Sequence, residues 1–420
     1  VTATDNSTPD DAKPRWQSAL NRRTLICVFL GFTSGLPLFI LLNLLQAWLA
    51  KLGLNVKTLG LFALVMFPYT WKFLWSPLMD RYSFGPLGRR RGWMAATQIA
   101  LFVAIGAMGM LDPLQQLPAI AFMASLIAFL SASQDIVIDA YRRELLPDNE
   151  QGLGSAVHVN AYKVAGMVPG ALSLILADML PWSLVFWITA AFMLPGLACT
   201  FLIKEPEIYG KPPANLREAV VLPFSEFIAR DGWKGALLVL AFILFYKLGD
   251  SLATALATKF YLDTGFSMTQ IGVIAKATGF WASIIGGLVG GIWMLQLGIN
   301  RALWVFGVVQ AIAILGFSWL AQAGANPILL AGVIGFEAFG VGLGTAAFVA
   351  YIARTTDPRF SATQFALFTS LSAVPRTFIN ASAGFIVEQT GWFMFFNLCF
   401  VLALPGMLML PKIAPWRERD

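Results

Sequence analysis

The strongest constraint in this chain is a pattern of apolar runs, each about 20 residues long, that recurs from residue 24 to residue 410. As a helix, such a run is about 30 Å long, the thickness of a bilayer's hydrocarbon core, and helix formation satisfies the backbone N–H and C=O groups inside the lipid. Twelve spans are expected, at 24–45, 57–79, 93–111, 118–141, 152–177, 183–203, 235–261, 267–295, 302–321, 327–353, 361–387 and 392–410. Composition agrees. Hydrophobic residues make up 58% of the chain and charged residues 12%, against about 45–50% and about 25% in a soluble domain. The expected fold class is an all-α integral membrane protein of 12 transmembrane helices. Its polar stretches divide it into a flexible tail at 1–22, a six-helix bundle at 23–203, a linker at 204–233, a second six-helix bundle at 234–411 and a tail at 412–420. No cleavable secretory signal is expected ahead of the first span.

Outside the spans, Lys and Arg crowd onto the side that holds both termini, and only Lys51, Lys57 and Lys259 fall on the other. The positive-inside rule therefore places both termini in the cytoplasm. The two halves also echo one another. Gly53 and Gly60 recur as Gly265 and Gly272 at an offset of 212, while Ala140-Tyr141, Trp182 and Pro195-Gly196 recur as Ala350-Tyr351, Trp392 and Pro405-Gly406 at an offset of 210. An offset near half the chain implies two parallel six-helix pseudo-repeats, and in this the chain resembles the major facilitator superfamily. The loop after the second span strengthens the resemblance. Ser76-Pro-Leu-Met-Asp-Arg-Tyr82, followed by Gly88-Arg-Arg-Arg-Gly92, is similar to the superfamily's signature loop, in which an Asp and clustered Arg residues latch the ends of the two halves together. It departs from the pattern at Ser76, where the superfamily has Gly, and in the longer spacing before Gly88. The candidate latch residues are Asp80, Arg81, Arg89, Arg90 and Arg142.

Charges inside the spans mark the candidate site. Asp135 and Asp139 are four residues apart, so they stack on one face of the fourth span with Arg142 one step further on. A carboxylate at membrane depth is costly, starting at about 2.5 kcal/mol on insertion scales, and normally faces a partner or a water-filled path. Both aspartates are therefore candidates for proton coupling, and the competing expectation for Asp139 is an ion pair with Arg142 or Arg143. Lys247 and Asp250 share a face of the seventh span and can satisfy one another. Lys163, Lys276 and Arg376 lie too deep for easy snorkelling, Glu337 is an acid in the tenth span, and Lys72 is placed to reach water or to neutralise Asp139. Five bases against four acids inside the spans suit an anionic substrate, since Arg and Lys bind carboxylates through charge-assisted hydrogen bonds. Gln46, Gln134 and Gln364 add hydrogen-bonding groups. His158 is better suited to packing than to proton transfer, Gly286-Gly-Leu-Val-Gly-Gly291 to close helix contact, and the span-embedded Cys27, Cys199 and Cys399 to burial. No metal site, cofactor or nucleic-acid partner is expected.

Several further motifs resemble the AmpG-type muropeptide permeases. They are Gly31-Phe32 with Ser34-Gly-Leu-Pro-Leu38, Gln46-Ala-Trp48, Phe73-Leu-Trp-Ser-Pro-Leu-Met-Asp-Arg-Tyr82, Ser131-Ala-Ser-Gln-Asp135, Tyr246-Lys-Leu-Gly-Asp250 and Ser361-Ala-Thr-Gln-Phe-Ala-Leu367. The resemblance implies proton-driven import of N-acetylglucosaminyl-1,6-anhydro-N-acetylmuramic acid, with or without its stem peptide, across a bacterial inner membrane. The reading of the residues is compatible with this, since such a substrate needs charged and hydrogen-bonding partners, and Gln46, Gln134, Lys163, Lys247, Asp250, Lys276, Glu337, Gln364 and Arg376 are the candidate substrate contacts. The alternative within the same fold is a permease for another anion or an acyl carrier such as acetyl-coenzyme A. An enzyme would need a nucleophile or metal constellation that one His and three dispersed Cys do not form, and a sensor would need an output domain larger than the central linker.

Overall fold

Helices start where the sequence provides a cap. Asn21 Oδ1 accepts the Thr24 N–H at 2.9 Å at the head of the first span, and Asn326 Oδ1 accepts the Ile328 and Leu329 N–H groups at 3.0 and 3.1 Å at the head of the tenth. The computed structural model describes residues 21–51, 65–206, 215–267, 270–374 and 382–416, and every regular element among them is helical. Nine helical stretches among the described residues are long and apolar enough to cross a membrane. The first six expected spans appear as Arg22–Lys51, the shorter helices Phe67–Trp71 and Ser76–Arg81, then Arg89–Met108, Leu117–Leu145, Asp148–Leu176 and Trp182–Leu202. Residues 57–64 of the second span lie outside the described residues, as do Gly53 and most of the 1–22 tail.

The longest stretch, Ile271–Ala323, has 53 residues, far more than one crossing needs. It holds the eighth and ninth spans, separated at Gly298, whose φ of 74° only glycine adopts readily. Gly391 breaks Ala383–Ile413 in the same way, between the end of the eleventh span and the twelfth. The seventh span follows a break at Asp231 and Gly232 inside Leu216–Phe245, and the tenth is Pro327–Thr355. The eleventh begins as Ser361–Val374, with 375–381 outside the described residues. The segment expected as a linker therefore carries a helix of its own, capped by Asn215 Oδ1 on the Glu218 N–H at 2.8 Å.

Glycines set how closely the spans approach. A Cβ on Gly31 would lie 2.4 Å from the His158 carbonyl oxygen, and one on Gly35 would lie 2.4 Å from that of Tyr162, so the first and fifth spans meet backbone to backbone. The Gly286–Gly291 run does the same for the eighth span. Gly286 faces the Phe339 backbone in the tenth span, whereas Gly287 and Gly291 face Asn160 and Ala156 in the fifth, across the two halves. Asn160 fixes that seam by donating to the Ile284 carbonyl at 3.1 Å. Overpacking a tight contact costs about 1–3 kcal/mol. Gly31→Leu is accordingly expected to lower the unfolding temperature of the detergent-solubilised protein by several degrees, whereas the same change at Gly332, with nothing within 4 Å, is expected to leave it nearly unchanged. Equal effects at the two positions would show that the seam does not limit stability.

Candidate substrate cavity and gate

Beginning at the Arg-rich face, the second span ends in Asp80, which is fully buried. Its carboxylate accepts the Ala362 N–H at 3.2 Å, the Thr363 N–H at 2.8 Å and the Thr363 hydroxyl at 2.7 Å, all at the start of the eleventh span in the other half. These are the donors a helix leaves unsatisfied at its N-terminus, and an anion there is also favoured by the helix dipole. Arg90 donates to Asp80 at 2.7 Å, to Glu144 at 2.7 Å and to the Ser361 hydroxyl at 2.8 Å, while Arg89 reaches Glu144 at 3.1 Å and Asp80 at 4.0 Å. The Ser361 hydroxyl donates in turn to Glu144. Arg143 adds a bond to the Thr356 carbonyl at 3.0 Å. The two halves are thus joined on this face by a buried ionic cluster.

Asp80, Arg89 and Arg90 come together as the loop motif predicts, but Arg142 and Arg81 are used differently. Arg142 pairs with Asp139 at 3.0 Å and covers the Phe365 ring from the other half at 5.4 Å, and Arg81 lies over the Tyr82 ring at 5.3 Å. Glu144 was not foreseen. The repeat offset contained a signal for it, because adding 210 to Arg90 and Glu144 gives Asn300 and Arg354, which hydrogen-bond to each other in the second half. Beside this cluster, Gln364 spends its amide on the linker helix. It donates to Glu226 at 2.7 Å and the Pro223 carbonyl at 2.9 Å and accepts from the Asp357 N–H at 2.8 Å. Asp357 lies in the adjoining loop. Burial would raise its pKa, but the side-chain and backbone hydrogen bonds from Arg359, with the Arg359 and Arg230 charges, outweigh that and hold it below the usual carboxylate range.

Deeper in the fourth span, Asp135 is buried and accepts a hydrogen bond from the Ser34 hydroxyl of the first span. Lys72 is also buried, close enough for its charge to act on Asp135. Asp139, one turn closer to the Arg-rich face, is held by Arg142, with His158 Nε2 at 3.9 Å. Burial and partners separate the two aspartates, one in an ion pair and one against a hydroxyl. Gln134 is completely buried beside Asp135, and its amide has no hydrogen-bond partner among the described residues.

The second half contains a cavity of about 500 Å³, lined by residues of the seventh, eighth, tenth and eleventh spans. Lys247, Asp250 and Glu337 provide its charge, and Ser283, Thr345 and Thr369 contribute hydroxyls. Lys247 donates to Asp250 at 3.0 Å and to the Thr345 hydroxyl at 3.3 Å. Glu337 directs its carboxyl at Asp250. Lys163 reaches across from the fifth span to donate to the Ser283 hydroxyl, which places a first-half cation at the cavity wall. Gln46 is half-buried at the Lys51 end of the first span, Lys276 is exposed in the turn that opens the eighth, and neither joins the lining. Arg376 lies outside the described residues. No cluster of metal-ligating side chains occurs among the described residues.

Comparisons with known proteins bear on this arrangement. The model of the Major Facilitator Superfamily matches residues 27–379. A Haemophilus influenzae protein described as uncharacterized is 49% identical over 95% of this chain and 96% of its own length. The Escherichia coli K12 anhydromuropeptide permease is 43% identical over 92% of this chain and 79% of its own length. Among solved structures, the human organic anion transporter MFSD10 superposes with a TM-score of 0.71 at 18% identity, covering 93% of this chain and 99% of its own.

Proposed function

Since this chain belongs to the major facilitator superfamily, and within it to the family of the anhydromuropeptide permeases, we propose that it imports anhydro-muropeptides across the bacterial inner membrane by proton-driven alternating access. The substrate class is N-acetylglucosaminyl-1,6-anhydro-N-acetylmuramic acid with or without its stem peptide. Both termini and the Arg-rich gate face the cytoplasm, as the positive-inside pattern supports. The gate is then the inner one, and its buried cross-half bonds correspond to a state closed to the cytoplasm. One observation supports the substrate reading above the others. The cavity combines charged groups, hydroxyls and an apolar wall that includes Phe348, within the range of about 300–1,000 Å³ usual for ligand sites, and a sugar-peptide presents the complementary groups.

In this scheme Asp135 carries the coupled proton. It lies in the first half and the cavity in the second, so loading the substrate and loading the proton occur on the two bodies that rock against each other. The gate opens when Asp80 releases the start of the eleventh span. The test of substrate identity is equilibrium binding of labelled anhydro-disaccharide to the purified full chain. Saturable binding displaced by unlabelled disaccharide, and not by acetyl-coenzyme A at the same concentration, is expected. Displacement by acetyl-coenzyme A alone would replace this reading with the acyl-carrier one.

A further inference from the structure

We infer that the second-half cavity is the subsite for a zwitterionic amino-acid group of the cargo, one bearing an ammonium and a carboxylate close together. This rests on the muropeptide reading and specifies which end of the molecule the cavity receives. Surplus cations in the spans suit an anionic ligand. The cavity has a different balance: Asp250 and Glu337 stand on its wall with Lys247, and Lys163 lies against it through Ser283.

Two acids and one base therefore stand on the wall of one hydroxyl-lined cavity, with a second base bonded to that wall. A cargo with only a carboxylate would gain Lys247 and Lys163 but would be brought against two acids, and like charges at short range are strongly unfavourable in a low dielectric. A neutral sugar would leave these acids and bases to one another and use none of the charge-assisted bonds available. A zwitterion resolves both problems. Its carboxylate takes a place beside Lys247 and Lys163, and its ammonium beside Asp250 and Glu337. Lys247 is already poised between the two functions, bonded to Asp250 at 3.0 Å and to the Thr345 hydroxyl at 3.3 Å, with a third donor still to place. A cargo carboxylate can accept that donor while the cargo ammonium shares the Asp250 carboxylate.

The decisive experiment uses the unmodified full chain in proteoliposomes, with uptake of labelled peptide-free disaccharide as the readout. Three competitors are compared: a disaccharide-peptide ending in a residue with free amine and carboxylate, the same ligand with the amine acetylated, and the same ligand with the carboxylate amidated. The zwitterion is expected to compete about tenfold better than either blocked form, about one charge-assisted hydrogen bond's worth of discrimination. Equal competition by all three would overturn the inference, and a loss only on amidation would overturn it in favour of an anion site. Glu337→Gln is expected to erase the penalty for acetylation and keep that for amidation, with Lys247→Met doing the reverse. Persistence of both penalties in both variants would place the recognition elsewhere and overturn the assignment. If the peptide-free disaccharide is not taken up by the parent protein at all, the functional reading itself fails and the inference falls with it.

Discussion

Asp135→Asn is expected to abolish uphill accumulation of substrate while leaving substrate exchange across the membrane measurable. Asparagine keeps the size of the side chain and an oxygen that can accept the Ser34 hydroxyl, so the contact between the first and fourth spans survives. What it loses is the capacity to take up and release a proton. A pH difference of one unit is worth about 1.4 kcal/mol per proton, which sustains a tenfold concentration ratio for one coupled proton. In the variant that ratio should fall to one. Asp139→Asn is expected to be milder on coupling and harsher on folding, since it leaves the buried Arg142 charge without its counter-ion. Full accumulation by the Asp135 variant would move the coupling site to another carboxyl, with the Asp250 and Glu337 pair the next to test.

The second large effect concerns the gate. Asp80→Ala removes three bonds to the start of the eleventh span and leaves Arg90 with one carboxylate in place of two. Breaking a buried charge pair typically costs about 3–5 kcal/mol, much of it the penalty on the group left behind. The Arg90 pair lies within the first half and its loss burdens both states, but the three bonds to Ala362 and Thr363 cross between the halves, so their loss falls on the state in which this face is closed. The population should therefore shift by at least about tenfold toward the state open on this face. Thr369→Cys, in a chain whose three native cysteines are replaced, reports it, because Thr369 lines the cavity and Cys27, Cys199 and Cys399 are the native thiols. A membrane-impermeant thiol reagent applied from the Arg-rich face should label Cys at this position about ten times faster when Asp80 is alanine. An unchanged rate would mean that the cluster supports the fold and does not hold the gate.

Residue types and spacings in the sequence were enough to indicate the membrane class and much of the ionic cluster that joins the two halves. Hydrophobic runs are long-range averages and survive local error, and the Asp80 and Arg89-Arg90 pair lies within one loop, where spacing limits what can meet. Glu144 was harder to see because it reaches Arg90 from the far end of another helix. The same reason explains Ser34 beside Asp135 and Ser283 beside Lys163, since a small hydroxyl gives no signal until the helix that faces it is known. Gln364 shows the converse. A glutamine near a predicted span end reads as a substrate contact, and in this structure the linker helix holds its amide through Glu226, Pro223 and Arg230, with a further bond from the Asp357 N–H. Charge counting along the spans finds more bases than acids, whereas the cavity wall carries Asp250 and Glu337 beside Lys247, and Lys276 lies exposed outside it.

The central claim is proton-driven import of an anhydro-muropeptide, and its most direct test is the steady-state distribution of labelled anhydro-disaccharide in proteoliposomes holding the full chain. With the outside one pH unit more acidic than the lumen, the internal concentration is expected to rise about tenfold above the external one for each coupled proton. It should collapse to equality when a protonophore is added. An internal concentration that never exceeds the external one under the imposed gradient, while the same vesicles exchange the disaccharide readily, would contradict proton coupling.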